Sequence, residues 1–114
     1  MFEKYNLGSI SFSPLYGGLL TGKYLDKEAE GRLSGECKNV GNAPPAIIKH
    51  LYTTKLNPEK VNNALVELKK IAEEELGCKL THLALAWVLK FKHTSAAIFG
   101  ARSTEQLEDC LKAL

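Results

Sequence analysis

"SISFSPLYGGLLTGKY", residues 9–24, is the stretch on which the fold turns. Residues 9–13 alternate small polar with apolar side chains, the period of a β-strand, and Pro14 stops the pattern. Gly17, Gly22 and Lys23 then fall at the G-x-x-x-x-G-K spacing of a phosphate-binding loop. Such a loop wraps phosphates in backbone N–H groups, reaches them with its lysine, and holds Mg²⁺ with a Ser or Thr that follows. Here the following residue is Tyr24, whose phenol is a poor replacement for that compact hydroxyl ligand. A nucleoside triphosphatase also needs a second, acidic strand end for the metal. The clear later strand, "SAAIFGAR", ends in Gly-Ala-Arg. The loop is therefore expected to serve another ligand.

Working outward, residues 2–7 read as the tail of a helix with Gly8 as its C-cap. Between 25 and 56, Gly31, Gly35, Gly41, Pro44 and Pro45 break every pattern. That segment reads as a long, partly helical excursion, of a length often used for lids and binding loops. A clear helix follows, with Asn57 as N-cap, Pro58 at its first position and Glu59 at the positive end of its dipole. Val61, Ala64, Leu65, Leu68, Ala72 and Leu76 form one apolar stripe, and Gly77 ends the helix. A second helix takes Thr81 as cap and Leu83, Ala84, Trp87, Val88 and Phe91 as apolar positions, with Trp87 and its neighbouring alanines as packing core. "SAAIFGA" (95–101) is nearly all apolar, as in a parallel strand buried on both faces. Ser103 and Gln106 then open a last helix with a capping box. Strands separated by helices imply parallel pairing and an α/β class. Two strands cannot bury both faces of a sheet, so the chain is expected to be part of a larger domain.

Composition narrows the classes. The 114 residues are 45% hydrophobic and 25% charged, ordinary for a globular domain. A net charge of +2 is too small to argue for nucleic acid or an anionic membrane. No apolar run approaches the roughly 18 residues of a spanning helix, so no membrane insertion is expected. The opening "MFEKYNLGSI" lacks a secretory apolar core. Cys37, Cys78 and Cys110 are far apart and form no Cys-x-x-Cys or Cys/His cluster. They read as free thiols in a reducing compartment, by default the cytoplasm, without a zinc site.

Three segments in order, "SFSPLYGGLLTGKY", "ELKKIAEEELGCKLTHLALAWVLK" and "AAIFGARSTEQLEDCLKAL", resemble the C-terminal part of the aldo-keto reductases. The look is closest to the branch that holds the voltage-gated potassium channel β-subunits and their bacterial relatives. The likeness runs from Phe2 to Leu114 and is loosest between 25 and 56. It implies a (β/α)₈ barrel that binds NADP(H) at its C-terminal face. Barrels of this kind usually take roughly 250 residues. Residues 1–114 are therefore expected to be about the last two βα units of one barrel domain, with "SISFS" as strand seven and "AAIFG" as strand eight. Such a piece leaves apolar faces uncovered and is expected, alone, to form a homo-oligomer or a molten state.

The resemblance further implies that the loop after the first strand lies along the pyrophosphate and ribose of a dinucleotide. Positions matching cofactor contacts are Phe12, Ser13, Pro14, Leu15, Gly17, Lys23 and Arg32, then Gly100, Arg102, Gln106 and Asp109. Gly17 and Gly18 would let backbone approach the ligand, and Lys23 would add positive charge. Each has a plainer reading: Ser13-Pro14 as a strand terminator, Gln106 as a capping residue, Lys23 as a solvated lysine. Cys110 stands where the family often has an Asn that helps hold the adenine. The family's catalytic Tyr, Lys, Asp and His come from earlier strands, and Tyr5, Tyr16, Tyr24 and Tyr52 match none of those contexts, so no catalytic residue is assigned. His50, His82 and His93 read as structural or surface residues. The implied reaction is reduction of a small aldehyde or ketone by the complete barrel. The implied alternative is regulation of a potassium channel α-subunit, with cofactor binding as a sensor; the other alternative is a truncated chain with neither activity.

Overall fold

The computed structural model describes residues 1–26 and 58–114. Asn57, Arg32, Cys37, His50 and Tyr52, and the excursion expected over 25–56, lie wholly or mostly outside the described residues. A short helix α1 (Phe2–Tyr5) leads into strand β1 (Ser9–Phe12). Two 3₁₀ segments follow, Tyr16–Thr21 and Lys23–Leu25. Then come α2 (Pro58–Lys70), which continues as a π-turn over Ile71–Glu75, α3 (Leu80–Leu89), β2 (Thr94–Ile98) and α4 (Thr104–Leu111).

The two strands pair in parallel, with Ser9 opposite Thr94 and Ile10, Ser11 and Phe12 opposite Ala96, Ala97 and Ile98. Parallel pairing and the α/β class are thus as the alternation of elements implies. The register skips Ser95, so β2 carries one extra residue there. This shift accounts for Gly8. The residue that caps α1 is Asn6, in the left-handed conformation (φ 51°), and not Gly8. A Cβ on Gly8 would run into the Ser95 hydroxyl, so the glycine makes room for the bulge.

Helix α2 meets α3 around Leu65, Ala72 and Leu80, which are buried. Leu19, Leu20 and Leu25, from the segment after β1, pack on the same cluster with Val61, Cys78 and Leu83. Of the expected stripe on α2, only Val61, Leu65 and Ala72 turn inward; Ala64, Leu68 and Leu76 stay exposed. The π-turn explains Leu76: its N–H bonds to Ile71 O at 3.1 Å, five residues back, and the wider turn rotates it off the buried face. Gly77 then adopts φ 62°, which lets Cys78 N–H return to Ala72 O at 2.8 Å.

Two further expectations are corrected. Lys79, with extended backbone, is the N-cap of α3, and Thr81 is a buried residue of its first turn. Trp87 is 57% exposed rather than core, and Ala86 is exposed too; Leu80, Ala84 and Leu85 are buried instead. The apolar period locates a helix but does not say which of two adjacent apolar faces finds a partner. Likewise the sheet, two-stranded among the described residues, is not covered on both faces: Ile10, Phe12 and Ile98 are exposed. No described helix is long and apolar enough to cross a membrane.

Leu65, at 2% exposure, is the centre of the helix contact. Leu65→Ala should lower stability by about 2–5 kcal/mol, read from urea midpoints. A loss below about 0.5 kcal/mol, the usual range for surface positions, would remove Leu65 from the core.

Candidate functional site

Because β1 and β2 run parallel with Phe12 opposite Ile98, the chain leaves both strands at one edge of the sheet. Ser13 N–H donates across that edge to Ile98 O at 3.3 Å, and Ser13 itself turns the backbone at φ 57°. Pro14 is buried beneath the turn. Leu15 begins the 3₁₀ segment, within which Tyr16, Gly17 and Gly18 are all left-handed, at φ 48°, 67° and 94°. Three such residues in a row make a sharp kink, and non-glycine members cost of order 1–3 kcal/mol each in strain. Strain of this kind clusters at ligand clamps, which makes the kink a candidate contact surface.

Thr21 holds the kink in shape. Its hydroxyl donates to Gly18 O at 2.7 Å and accepts Lys23 N–H at 3.3 Å. Sequence reading passed over Thr21, although a threonine two residues before a turn lysine is an ordinary hydroxyl-to-backbone turn signal. Lys23 Nζ lies 4.9 Å from the centre of the Tyr24 ring, a cation–π distance. Tyr24, the wrong residue for a magnesium ligand, here steadies the lysine.

Gly100 and Arg102 follow β2, both exposed. Ser103 caps α4: its hydroxyl accepts Gln106 N–H at 3.3 Å. The Gln106 side chain accepts the N–H of Arg102 at 2.9 Å, not that of Ser103. The capping box is thus displaced by one residue, and it fixes the backbone of Arg102 at the mouth of the helix. The Ser103 hydroxyl also holds the Glu105 carboxyl below the usual glutamate range.

Asp109 sits apart from these groups, in the last turn of α4. Lys79 Nζ approaches its Oδ1 to 2.7 Å, and His82 Nε2 lies 3.4 Å from the same atom. Lys79 is the main cause of a carboxyl pKa below the usual aspartate value, with a smaller contribution from His82 against some loss of solvent. The next residue, Cys110, is buried, and burial followed by the Asp109 charge pushes its thiol up. It lines an apolar groove of about 190 Å³ with Leu85, Leu89, Ala97 and Phe99. Of the two sequence readings of His82, structural or surface, the covered ring is the structural one; a partner 27 positions away cannot be seen from local pattern.

Phe12 and Ser13 therefore end β1 at the same edge at which the chain leaves β2 for Gly100, Arg102 and Gln106; Pro14, Leu15, Gly17 and Lys23 follow in the loop after β1, whereas Asp109 belongs to the contact between α3 and α4. The donors in the two segments that follow the strands are two cationic side chains, Lys23 and Arg102, and the N–H groups of a capped helix start. That set suits the phosphates of a dinucleotide. Among the described residues no group of three His, Cys, Asp or Glu could hold a metal.

Parallel strands separated by helices place the chain in the α/β class. The aldo/keto reductase family model matches residues 1–114, and the chain belongs to that family. It is 35% identical over 113 residues to an L-glyceraldehyde 3-phosphate reductase of Escherichia coli O157:H7 and 34% identical to that of strain K12, in each case over 98% of this chain. It is 33% identical over 110 residues, 96% of this chain, to a "putative voltage-gated potassium channel subunit beta" of Schizosaccharomyces pombe. The chain spans 30%, 30% and 29% of the length of these three relatives.

The lowered Asp109 pKa has a consequence for stability. Its contribution is fully present above the unfolded aspartate value of about 3.9 and is lost as pH falls through the lower folded value. Asp109→Asn should therefore be less stable than wild type at pH 6. The difference should shrink below about pH 4, as wild-type Asp109 is itself protonated. Thermal melts across pH 2.5–6 on the two proteins decide this, and a gap that stays constant rejects the ion pair.

Proposed function

We propose that this chain is the C-terminal, NADP(H)-binding portion of an aldo-keto reductase barrel, with Ser9–Phe12 as strand seven and Thr94–Ile98 as strand eight. The observation that carries this reading is the shared edge of the two parallel strands. One strand runs into a kinked glycine loop bearing Lys23, the other into Arg102 and a capped helix start. Barrels of this type keep their sites at the carboxyl ends of the strands. The uncovered Ile10, Phe12 and Ile98 and the 30% coverage of the reductase relatives support a larger barrel around this piece.

In this reading Gly17 and Gly18 bring backbone against the pyrophosphate, and Lys23 balances its charge. Phe12, Ser13, Pro14 and Leu15 form the wall on which the ribose and nicotinamide side rests, and Arg32 is assigned to the same ligand by family likeness alone. Arg102 and the first N–H groups of α4 hold the 2′-phosphate, with Gln106 keeping the Arg102 backbone in place. Gly100 leaves space for the ligand, and Asp109 serves the adenine end. When bound, the cofactor supplies the hydride for reduction of an aldehyde or ketone. This chain's residues bind and orient; the proton donor is assigned to earlier strands. A phosphorylated short-chain aldehyde is the first substrate to try, given the named activity of the Escherichia coli relatives. The proposed compartment is the cytoplasm.

The Schizosaccharomyces pombe relative favours a second reading, a regulatory channel β-subunit in which the bound cofactor acts as sensor. Co-purification with a channel cytoplasmic domain, without carbonyl turnover by the full-length protein, would select it.

Residues 1–114 alone should not oxidise NADPH in the presence of 4-nitrobenzaldehyde, because the acid–base groups worth about 10²–10⁴-fold are assigned elsewhere. Turnover that survives a second purification ends this assignment. In the protein as encoded, with any in-frame sequence preceding Met1, Arg102→Ala should weaken NADPH about 10- to 150-fold and leave NADH nearly unchanged. Fluorescence titration measures both. Equal losses assign Arg102 to folding, and no loss for either places it away from the ligand.

A further inference from the structure

The pole opposite the candidate site carries a surface of another kind. Because β1 and β2 are parallel, the residues that lead into them meet at one end: α1 before Ser9, and residues 91–93 before Thr94. The two leads touch, with the Phe2 and His93 rings stacked at 4.6 Å between centroids. His93 in turn lies 5.9 Å from Phe91, and Phe91 meets Trp87 edge-on at 6.0 Å. The result is one continuous strip of rings, of which Phe2, Phe91 and Trp87 are exposed. A contiguous exposed apolar patch marks an interaction site more often than isolated apolar residues do.

The charge around the strip is of one sign. Between Glu75 and Glu105 the sequence has no acidic residue, against the cations Lys79, Lys90, Lys92 and Arg102. Lys90 Nζ stands 3.4 Å from the centre of the Trp87 ring and 5.2 Å from that of Phe91. Lys92 is exposed next to Phe91, and on α1 Lys4 Nζ lies 5.3 Å from the Tyr5 ring centre. Lys69, Lys70 and Lys79 each face a carboxylate, whereas no described carboxylate pairs with Lys4, Lys90 or Lys92. Glu3 is the one acidic residue of α1.

Negative charge can reach such rings on a nucleic acid, a bilayer or a peptide. Bases need open ring faces to stack on; here Phe2 and His93 cover a face of each other, and Lys90 covers a face of Trp87. Anionic bilayers are bound by clusters of about 4–8 cations, more than the three lysines of this pole. A peptide needs neither. Its apolar side chain packs on the ring edges while its carboxylates meet the lysines at the rim. Further strand–helix units of a barrel are added beside these strands, which leaves the residues at their amino ends open to such a partner.

We propose that this strip is a docking site for an acidic peptide segment of another protein. The segment lays an apolar side chain against Phe2 and Phe91 and pairs its carboxylates with Lys90 and Lys92. The site does not depend on the dinucleotide reading, since it lies at the other end of the strands.

The test pans the protein as encoded, with any in-frame sequence preceding Met1, against a library of random dodecapeptides. Bound peptides should be enriched in Asp and Glu around an aromatic or aliphatic residue, beyond the library's own composition. The best of them, dye-labelled, is then titrated by anisotropy. Lys90→Gln combined with Lys92→Gln should weaken it about 2- to 30-fold, and so should replacing its own acids by amides. Phe91→Ala should weaken it more than about fivefold, and added salt should weaken it as well. Both lysines are exposed, so the double variant keeps the fold and reads the site alone. A selection with no binder or no acidic bias overturns the proposal, as does a binder indifferent to the double variant. Tighter binding to oligothymidine or to phosphatidylserine vesicles than to the selected peptide overturns it equally.

Discussion

The contact on which the rest depends is that of Leu19, Leu20 and Leu25 with the cluster formed by Leu65, Ala72 and Leu80. A glycine-rich segment with three left-handed residues in succession has no reason of its own to hold one shape. Its leucines supply that reason by burying apolar surface against two helices, at roughly 25 cal/mol per Å². The same contact seats α2 and α3 against the segment that leaves the carboxyl end of β1. The loop and the helices are thus one packing unit, and the strain at Tyr16 is held against that packing.

How much of this could be read in advance depended on range. The strand at Ser9–Phe12 and the strand at Thr94–Ile98 were legible because period and flanking breakers act locally. The helix starting at Pro58 was legible for the same reason. What failed were choices between equivalent local options. Gly8 and Asn6 both satisfy a helix end, and the sequence does not contain Ser95's position, which reserves Gly8 for another use. Thr81 is the better cap by residue type, yet Lys79 takes the position because Thr81 is drawn into the core. Trp87 lies on an apolar face as good as that of Leu80 and Leu85, but the helix has one partner face only. The candidate site divided in the same way. The loop residues were nominated by spacing and family likeness, whereas Thr21 required the kink to be seen and His82 required α4 to be placed against α3.

The Gly-Lys spacing of residues 17–23 illustrates how one backbone solution serves different ligand chemistries. The glycines bend the chain sharply in any case. The residue after the lysine then decides what is possible. A hydroxyl there invites a metal ion, while the Tyr24 ring offers the lysine a π-face and no metal ligand. On the dinucleotide reading proposed above, such a loop would hold phosphate through its N–H groups and one charge, with nothing in it that demands magnesium.

Trp87, the single tryptophan of these 114 residues, lies on the unpartnered side of α3 with Lys90 Nζ 3.4 Å above its ring and Phe91 edge-on at 6.0 Å. An indole is a fluorophore whose emission colour follows the polarity around it. In this chain that emission would report on the outer face of α3, where Trp87 is 57% exposed and water on the ring favours a red-shifted band. Anything that comes to lie over the helix, whether another part of a barrel or a second copy, would dry the ring and move its light to the blue. The residue that marks the incompletely covered side of the molecule is thereby also its built-in optical gauge of coverage.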